Sequence, residues 1–171
     1  MQKGRYPIID MIKKITILGI LFSILFTSSA FAYQFEDFRW GLKMTVAQNR
    51  LERKGKDIQT SSSYTLAYSD NIVGERCYVV LIFTPKSQKL AKVKIRWGSG
   101  SVGPALLDEL TGKYGQANLN NKPMRHYEWE RHIANQKLVL DYFTSAELTY
   151  FGGQYYTRFQ KERQKMAEDG L

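Results

Sequence analysis

Four residues near position 130 alternate as the ligands of a metal site on a strand would: His126-x-Glu128-x-Glu130-x-His132. Imidazole nitrogens and carboxylate oxygens are ligands for zinc and related divalent ions. Side-chain direction repeats every two residues on a strand, so all four would share one face. Residues two apart would sit about 6.6–7 Å apart, near enough for neighbours to converge on one ion, whereas His126 and His132 would be about 20 Å apart. A site would therefore take one histidine, one or two glutamates, and ligands from another strand. The same alternation also describes the wet face of an amphipathic strand, with Tyr127 and Trp129 turned to the core.

A second constellation is the basic stripe Lys92, Lys94 and Arg96, with Lys86 and Lys89 close by. It could bind an anionic ligand or an acidic protein. Alternatively it solvates a sheet face and pairs with Glu128 and Glu130 across the sheet. Nucleophilic catalysis finds little support: there is no G-x-S-x-G, and no acid–base pair can be placed beside a histidine. Gly98-Ser99-Gly100 precedes a helix but lacks the Gly-Lys-Ser/Thr end of a P-loop. The single cysteine, Cys77, shares a strand face with Val79, Leu81 and Phe83 and reads as a buried small hydrophobe rather than a reactive thiol. The balance leans away from an enzyme. No cofactor is predicted, with a divalent metal as the alternative.

The elements that must position these residues begin with a hairpin. Cys77 to Phe83 is continuously apolar, Thr84-Pro85-Lys86-Ser87-Gln88 breaks it, and Lys89 to Trp97 alternates. β-branched and aromatic residues about a Pro-led turn predict antiparallel strands at the middle of a sheet. Before it, Thr45 would cap a helix from Val46 to Lys54 that buries Val46, Ala47 and Leu51, with Gly55 in the C′ position. Asp57 to Ser63 reads as a turn, Tyr64 to Ser69 as a strand, and Asp70-Asn71 as the next turn. After it, Pro104 opens a helix to Tyr114 with Leu106, Leu107, Leu110 and Tyr114 on its apolar face. A polar loop from Gln116 to Met124 leads to strands over Arg125–Ile133, Lys137–Phe143 and Glu147–Phe151, with a turn at Asn135-Gln136. The fold class is α+β: an antiparallel sheet with helices packed on one face, read as two tandem α-β-β-β units, 33–100 and 101–153, within one domain. A C-terminal helix or tail, 154–171, follows. It puts Tyr155, Tyr156, Phe159 and Met166 on one side.

Lys13 and Lys14 precede an apolar run, Ile15 to Phe26, and Ala30-Phe31-Ala32 closes it. A basic start, a short apolar run and an A-x-A site predict a secretory signal peptide over 1–32, with cleavage near Ala32 and Met11 as a natural initiator. Periplasmic or secreted localisation follows from that expectation. The 171-residue chain carries 25 basic and 16 acidic residues, a net charge of +9; without Lys3, Arg5, Lys13, Lys14 and Asp10 it is +6. A moderately basic surface suits an anionic envelope component or an acidic protein face, and no nucleic-acid-binding motif is present.

Phe38-Arg39-Trp40-Gly41-Leu42-Lys43-Met44, with Val46 and the helix ending at Gly55, resembles the opening of small exported bacterial proteins of unknown function, typically aromatic-x-Trp-Gly before a helix. The helix–sheet blocks, with Tyr114-Gly115 before a strand carrying Tyr127 and Trp129, are similar to the β-lactamase-inhibitor-like fold and the small outer-membrane assembly lipoproteins. The chain departs from those lipoproteins in lacking the lipidated cysteine. The resemblance implies a binding or accessory role and carries over no active-site residues. The expectation is an exported, non-enzymatic binding protein of the cell envelope. A metal protein using His126, Glu128, Glu130 or His132, and a protein of anionic membrane surfaces in peripheral contact, are the alternatives.

Overall fold

Alternating burial along β3 (Glu75–Phe83) and β4 (Leu90–Trp97) sets the frame. In the computed structural model, which describes residues 35, 37–131 and 134–170, Cys77, Val79, Leu81 and Phe83 are buried on one face, and Val93, Ile95 and Trp97 continue it through the register Val79–Ile95 and Leu81–Val93. The expected signal peptide and His132 lie outside the described residues. Six further strands extend this frame: β1 (Ile58–Ser62), β2 (Thr65–Ile72), β5 (Leu119–Asn121), β6 (His126–Arg131), β7 (Gln136–Tyr142) and β8 (Ala146–Phe151). All eight form one antiparallel sheet in the order β1-β2-β3-β4-β8-β7-β6-β5.

That order is a palindrome about the β4–β8 pair. Each half is one helix followed by four strands, a correction to the expected three. The added strands are β1 and β5 at the two edges. Both are short and polar, as exposed edge strands tend to be, so their residues read as loops. The seam of the sheet is accordingly β4–β8, and the β3–β4 hairpin lies beside it.

The inner face carries the core. Leu66, Tyr68, Val79, Leu81, Val93, Ile95, Leu148, Leu138, Leu140 and Trp129 form one cluster with Ala47 and Leu51 of α1 (Met44–Arg53) and Leu106 and Leu110 of α2 (Gly103–Tyr114). Each fully buried large apolar side chain contributes about 1.5–3 kcal/mol. Trp97 and Trp129 satisfy their indole N–H groups while buried, donating to the carbonyls of Ile72 at 3.2 Å and Gly115 at 2.9 Å.

The helix ends follow local chemistry. Gly55 takes φ +67°, its N–H donates to the Glu52 carbonyl and the Lys56 N–H to the Leu51 carbonyl, a Schellman closure. The other end starts two residues earlier than expected. Leu42 and Met44 are pinned to the hairpin turn, Leu90 N–H to Leu42 carbonyl at 2.8 Å and Met44 N–H to Gln88 carbonyl at 3.0 Å. Lys43 is therefore the extended cap residue, Thr45 sits in the first turn, and Met44 is buried while Val46 is exposed.

β2 also runs through the expected turn at Asp70-Asn71. The Asp70 carboxylate accepts from Lys56 at 2.6 Å and from the Asn71 N–H at 2.8 Å. Burial opposes its charge, but these partners outweigh burial and hold the carboxyl below its ordinary range. The reversal falls instead at Val73-Gly74, both at positive φ. Opposite Asp70 stands Cys77, buried and free; burial, then the Asp70 charge, push its thiol up to about 11.

α3 (Gln154–Glu168) lies on the other face. Tyr156 meets Phe151 edge-on at 4.8 Å, and Phe151 is in register with Lys92 and Lys137, which project outward. Phe159 is buried against Tyr64, and Tyr155, Tyr156 and Met166 are half-buried on the same side, as the helical spacing predicts. Among the described residues no helix is long and apolar enough to cross a membrane.

Candidate functional site

Strand parity puts both sequence-predicted constellations on the outer face. β4 contributes Lys92, Lys94 and Arg96, and β6 contributes His126, Glu128 and Glu130. The register runs Arg96–Glu147–Asp141–His126 in one row, Lys94–Thr149–Val139–Glu128 in the next, and Lys92–Phe151–Lys137–Glu130 in the third. β8 and β7 lie between β4 and β6, so the basic stripe and the His/Glu face are about 14 Å apart and are not one site.

Each constellation is balanced by its neighbours. Glu147 accepts from Lys94 at 2.6 Å and Arg96 at 2.7 Å. Burial opposes its charge; the two cations outweigh that and lower its pKa. The stripe thus pairs with Glu147, not with Glu128 and Glu130, because β8 is the strand hydrogen-bonded to β4. Lys92 is different. Its ammonium lies 4.9 Å from the centre of the Phe151 ring and 5.9 Å from that of Tyr156, under the start of α3. Burial, then the charge of Lys94, depress its pKa.

On β6 and β7, Glu128 accepts from Lys137 at 2.6 Å and from His126 Nε2 at 2.9 Å, while Lys137 lies 3.7 Å from Glu130. His126 Nδ1 donates to Asp141. Both imidazole nitrogens are therefore held by carboxylates. Burial disfavours the charged ring, yet Asp141 and Glu128 outweigh burial and raise the pKa of His126. Among the described residues no group of three or more His, Cys, Asp or Glu side chains is arranged to hold a metal ion.

The concave part of this face lies beside α3. A groove of about 480 Å³ has Val139 and Phe151 as its floor, Glu128, Glu130, Arg131 and Lys137 along one wall, and Tyr156, Thr157 and Gln160 of α3 along the other. A second groove of about 580 Å³ opens on the other side of the first turn of α3, between Trp40, Tyr155 and Gln154. Asn135, Gln136 and Thr157 line both.

Two glycines shape the second groove. At Gly152 any Cβ would strike the Trp40 ring and the Ala91 carbonyl, and at Gly41 it would strike the Tyr155 ring. Trp40 and Tyr155 thus each lie against a glycine of the other's segment, and the opening Trp40-Gly41 motif is explained by the start of α3. The sequence marks Trp40-Gly41, but the spacing of a motif does not show that it interlocks with Gly152 and Tyr155, over a hundred residues away. Of the groove residues, Asn135 was marked only as part of a turn, and Gln154 and Gln160 carried no signal of their own.

The chain matches no family model, no curated protein and no solved structure. Chemically, the outer face offers paired charges that cancel locally, aromatic edges and free amides. That composition suits noncovalent recognition.

Proposed function

We propose that this chain is an exported, non-enzymatic binding or accessory protein of the cell envelope, and that it binds another envelope component on the outer sheet face beside α3. The observation that carries this proposal is the groove of about 480 Å³ between that face and α3, in whose wall Lys137 is ion-paired with Glu128 and Glu130. Support for export comes from Lys13-Lys14, the apolar run and Ala30-Phe31-Ala32. The test is a photo-crosslinker placed at Gln160, which is exposed, in cells expressing the chain with a tag after Leu171. One dominant adduct in the envelope fraction is expected, absent when the crosslinker is moved to Glu52 on α1. An abundant protein with no adduct at Gln160 would overturn the proposal, and a recovered protein that keeps residues 1–32 would overturn export.

An anionic membrane surface is the second reading, favoured by Arg158, Lys161 and Lys165 on the exposed side of α3. The apolar side of that helix is spent on the domain, so such contact would be electrostatic and salt-sensitive. Flotation with anionic vesicles, lost in K161E/K165E, would favour it over a groove-bound partner.

A further inference from the structure

We propose that the two grooves flanking the first turn of α3 form a continuous binding track for a neutral, N-acetylated glycan chain. This rests on the outer face being the binding surface and names what binds there.

Three features point to a glycan. First, the track is walled by aromatic rings: Trp40 and Tyr155 in one groove, Tyr156 and Phe151 in the other. A sugar ring presents a face of polarised C–H groups, which packs on the electron-rich face of an aromatic ring. Second, the polar lining is rich in amides. Asn135, Gln154 and Gln160 are exposed, and among the described residues their side chains have no partner. An amide both donates and accepts, and so does each sugar hydroxyl, whereas a charged group does only one. Third, the charges balance. Glu128 and Glu130 line the same wall as Lys137 and Arg131, and Lys137 is ion-paired with both glutamates. A polyanion would meet the glutamates and a polycation the lysine and arginine, each at a cost that a neutral chain avoids. The apolar floor of Val139 and Phe151 gives an acetyl methyl a place to be buried. Because Asn135, Gln136 and Thr157 line both grooves, one extended ligand can pass from the first to the second.

The structure supplies its own probe. Trp97 and Trp129 are 2% and 1% exposed in the core, while Trp40 is half-buried at the track. Titrating the purified exported chain with chitohexaose should therefore quench tryptophan fluorescence through Trp40. Q154A/Q160A, at exposed helical positions, should weaken binding about tenfold without moving the melting temperature, and Y156A should weaken it further. The de-N-acetylated oligomer and an acidic glycan of equal length should bind at least tenfold more weakly. No response to chitohexaose, or binding indifferent to Q154A/Q160A, overturns the proposal. If a proline-rich peptide of similar length binds instead, and the Gln160 crosslink still captures an envelope protein, the glycan falls while the binding surface stands. If no probe binds and Gln160 captures nothing, both fall.

Discussion

At His126 the sequence suggests a metal ligand and the structure supplies carboxylate partners. Its ring is held between Asp141 and Glu128, and Glu128 in turn by Lys137. Because the folded-state pKa lies above the ordinary 6.5, the charged ring stabilises the fold in full below that value. The contribution is lost as pH rises through the raised pKa. His126→Gln should therefore lower the melting temperature most near pH 5, by an amount worth about 0.5–1 kcal/mol for a partly exposed pair, and the gap should shrink toward pH 9. Thermal melts of both proteins across that range check this. A gap that stays constant would mean the ring acts by packing and not by charge. Glu128 has the opposite sign: burial works against its charge, Lys137 and His126 outweigh it, and its stabilisation is lost as pH falls through the lowered value. The alternation of His126, Glu128 and Glu130 onto one face was legible from period two alone. Their partners were not, because Asp141 and Lys137 reach them through strand register, which a single strand does not encode.

Among the elements, α3 has the most conditional place. Glu162 fastens it to the β3–β4 turn, accepting from the Lys86 N–H at 2.7 Å, the Ser87 N–H at 3.3 Å and the Ser87 hydroxyl at 3.0 Å. Bonds to a charged group are worth about 1.5–3 kcal/mol, so Glu162→Ala should loosen the helix before it loosens the sheet. Hydrogen exchange is the measurement: faster exchange is expected across 156–168, with β4 and β8 unchanged. Uniform acceleration over the whole chain would instead place α3 within the cooperative core. The helix itself was readable from its apolar spacing, and so were α1 from Gly55 at its end and α2 from Pro104 at its start. The edge strands were not. Ile58–Ser62 and Leu119–Asn121 carry little apolar alternation because neither has a sheet face to bury fully, and they are strands through hydrogen bonding to β2 and β6.

For the molecule as a whole, the palindromic strand order makes each half the other's cover. Val93 and Ile95 of β4 sit opposite Tyr150 and Leu148 of β8, so the apolar inner face is continuous across the seam. Neither half should hold together alone: 33–100 would expose β4 and 101–153 would expose β8 as long apolar edges. Chains cut at that boundary are expected to be insoluble or unfolded. In the full chain, Trp97 and Trp129, one in each half, should report the same denaturation midpoint as far-UV circular dichroism. Two separated transitions would show the halves to be independent. The α+β class was visible in the order of helices and strands, and so was a helix ahead of each run of strands. The pairing of the last strand of each unit with the other was not, since nothing local to β8 distinguishes β4 from β6 as its second neighbour.

Cys77 lies on the inner face opposite Asp70, and there the sheet acts as a protecting group. The unfolded thiol would have an ordinary acidity and be open to oxidants and to other chains. Once β2 and β4 close on β3, the same sulfur is buried and its acidity suppressed, and thiolate chemistry is switched off without a partner cysteine. In an oxidising compartment this makes folding a race against covalent dimerisation. A chain slow to zip its seam would leave linked dimers as the record of having lost.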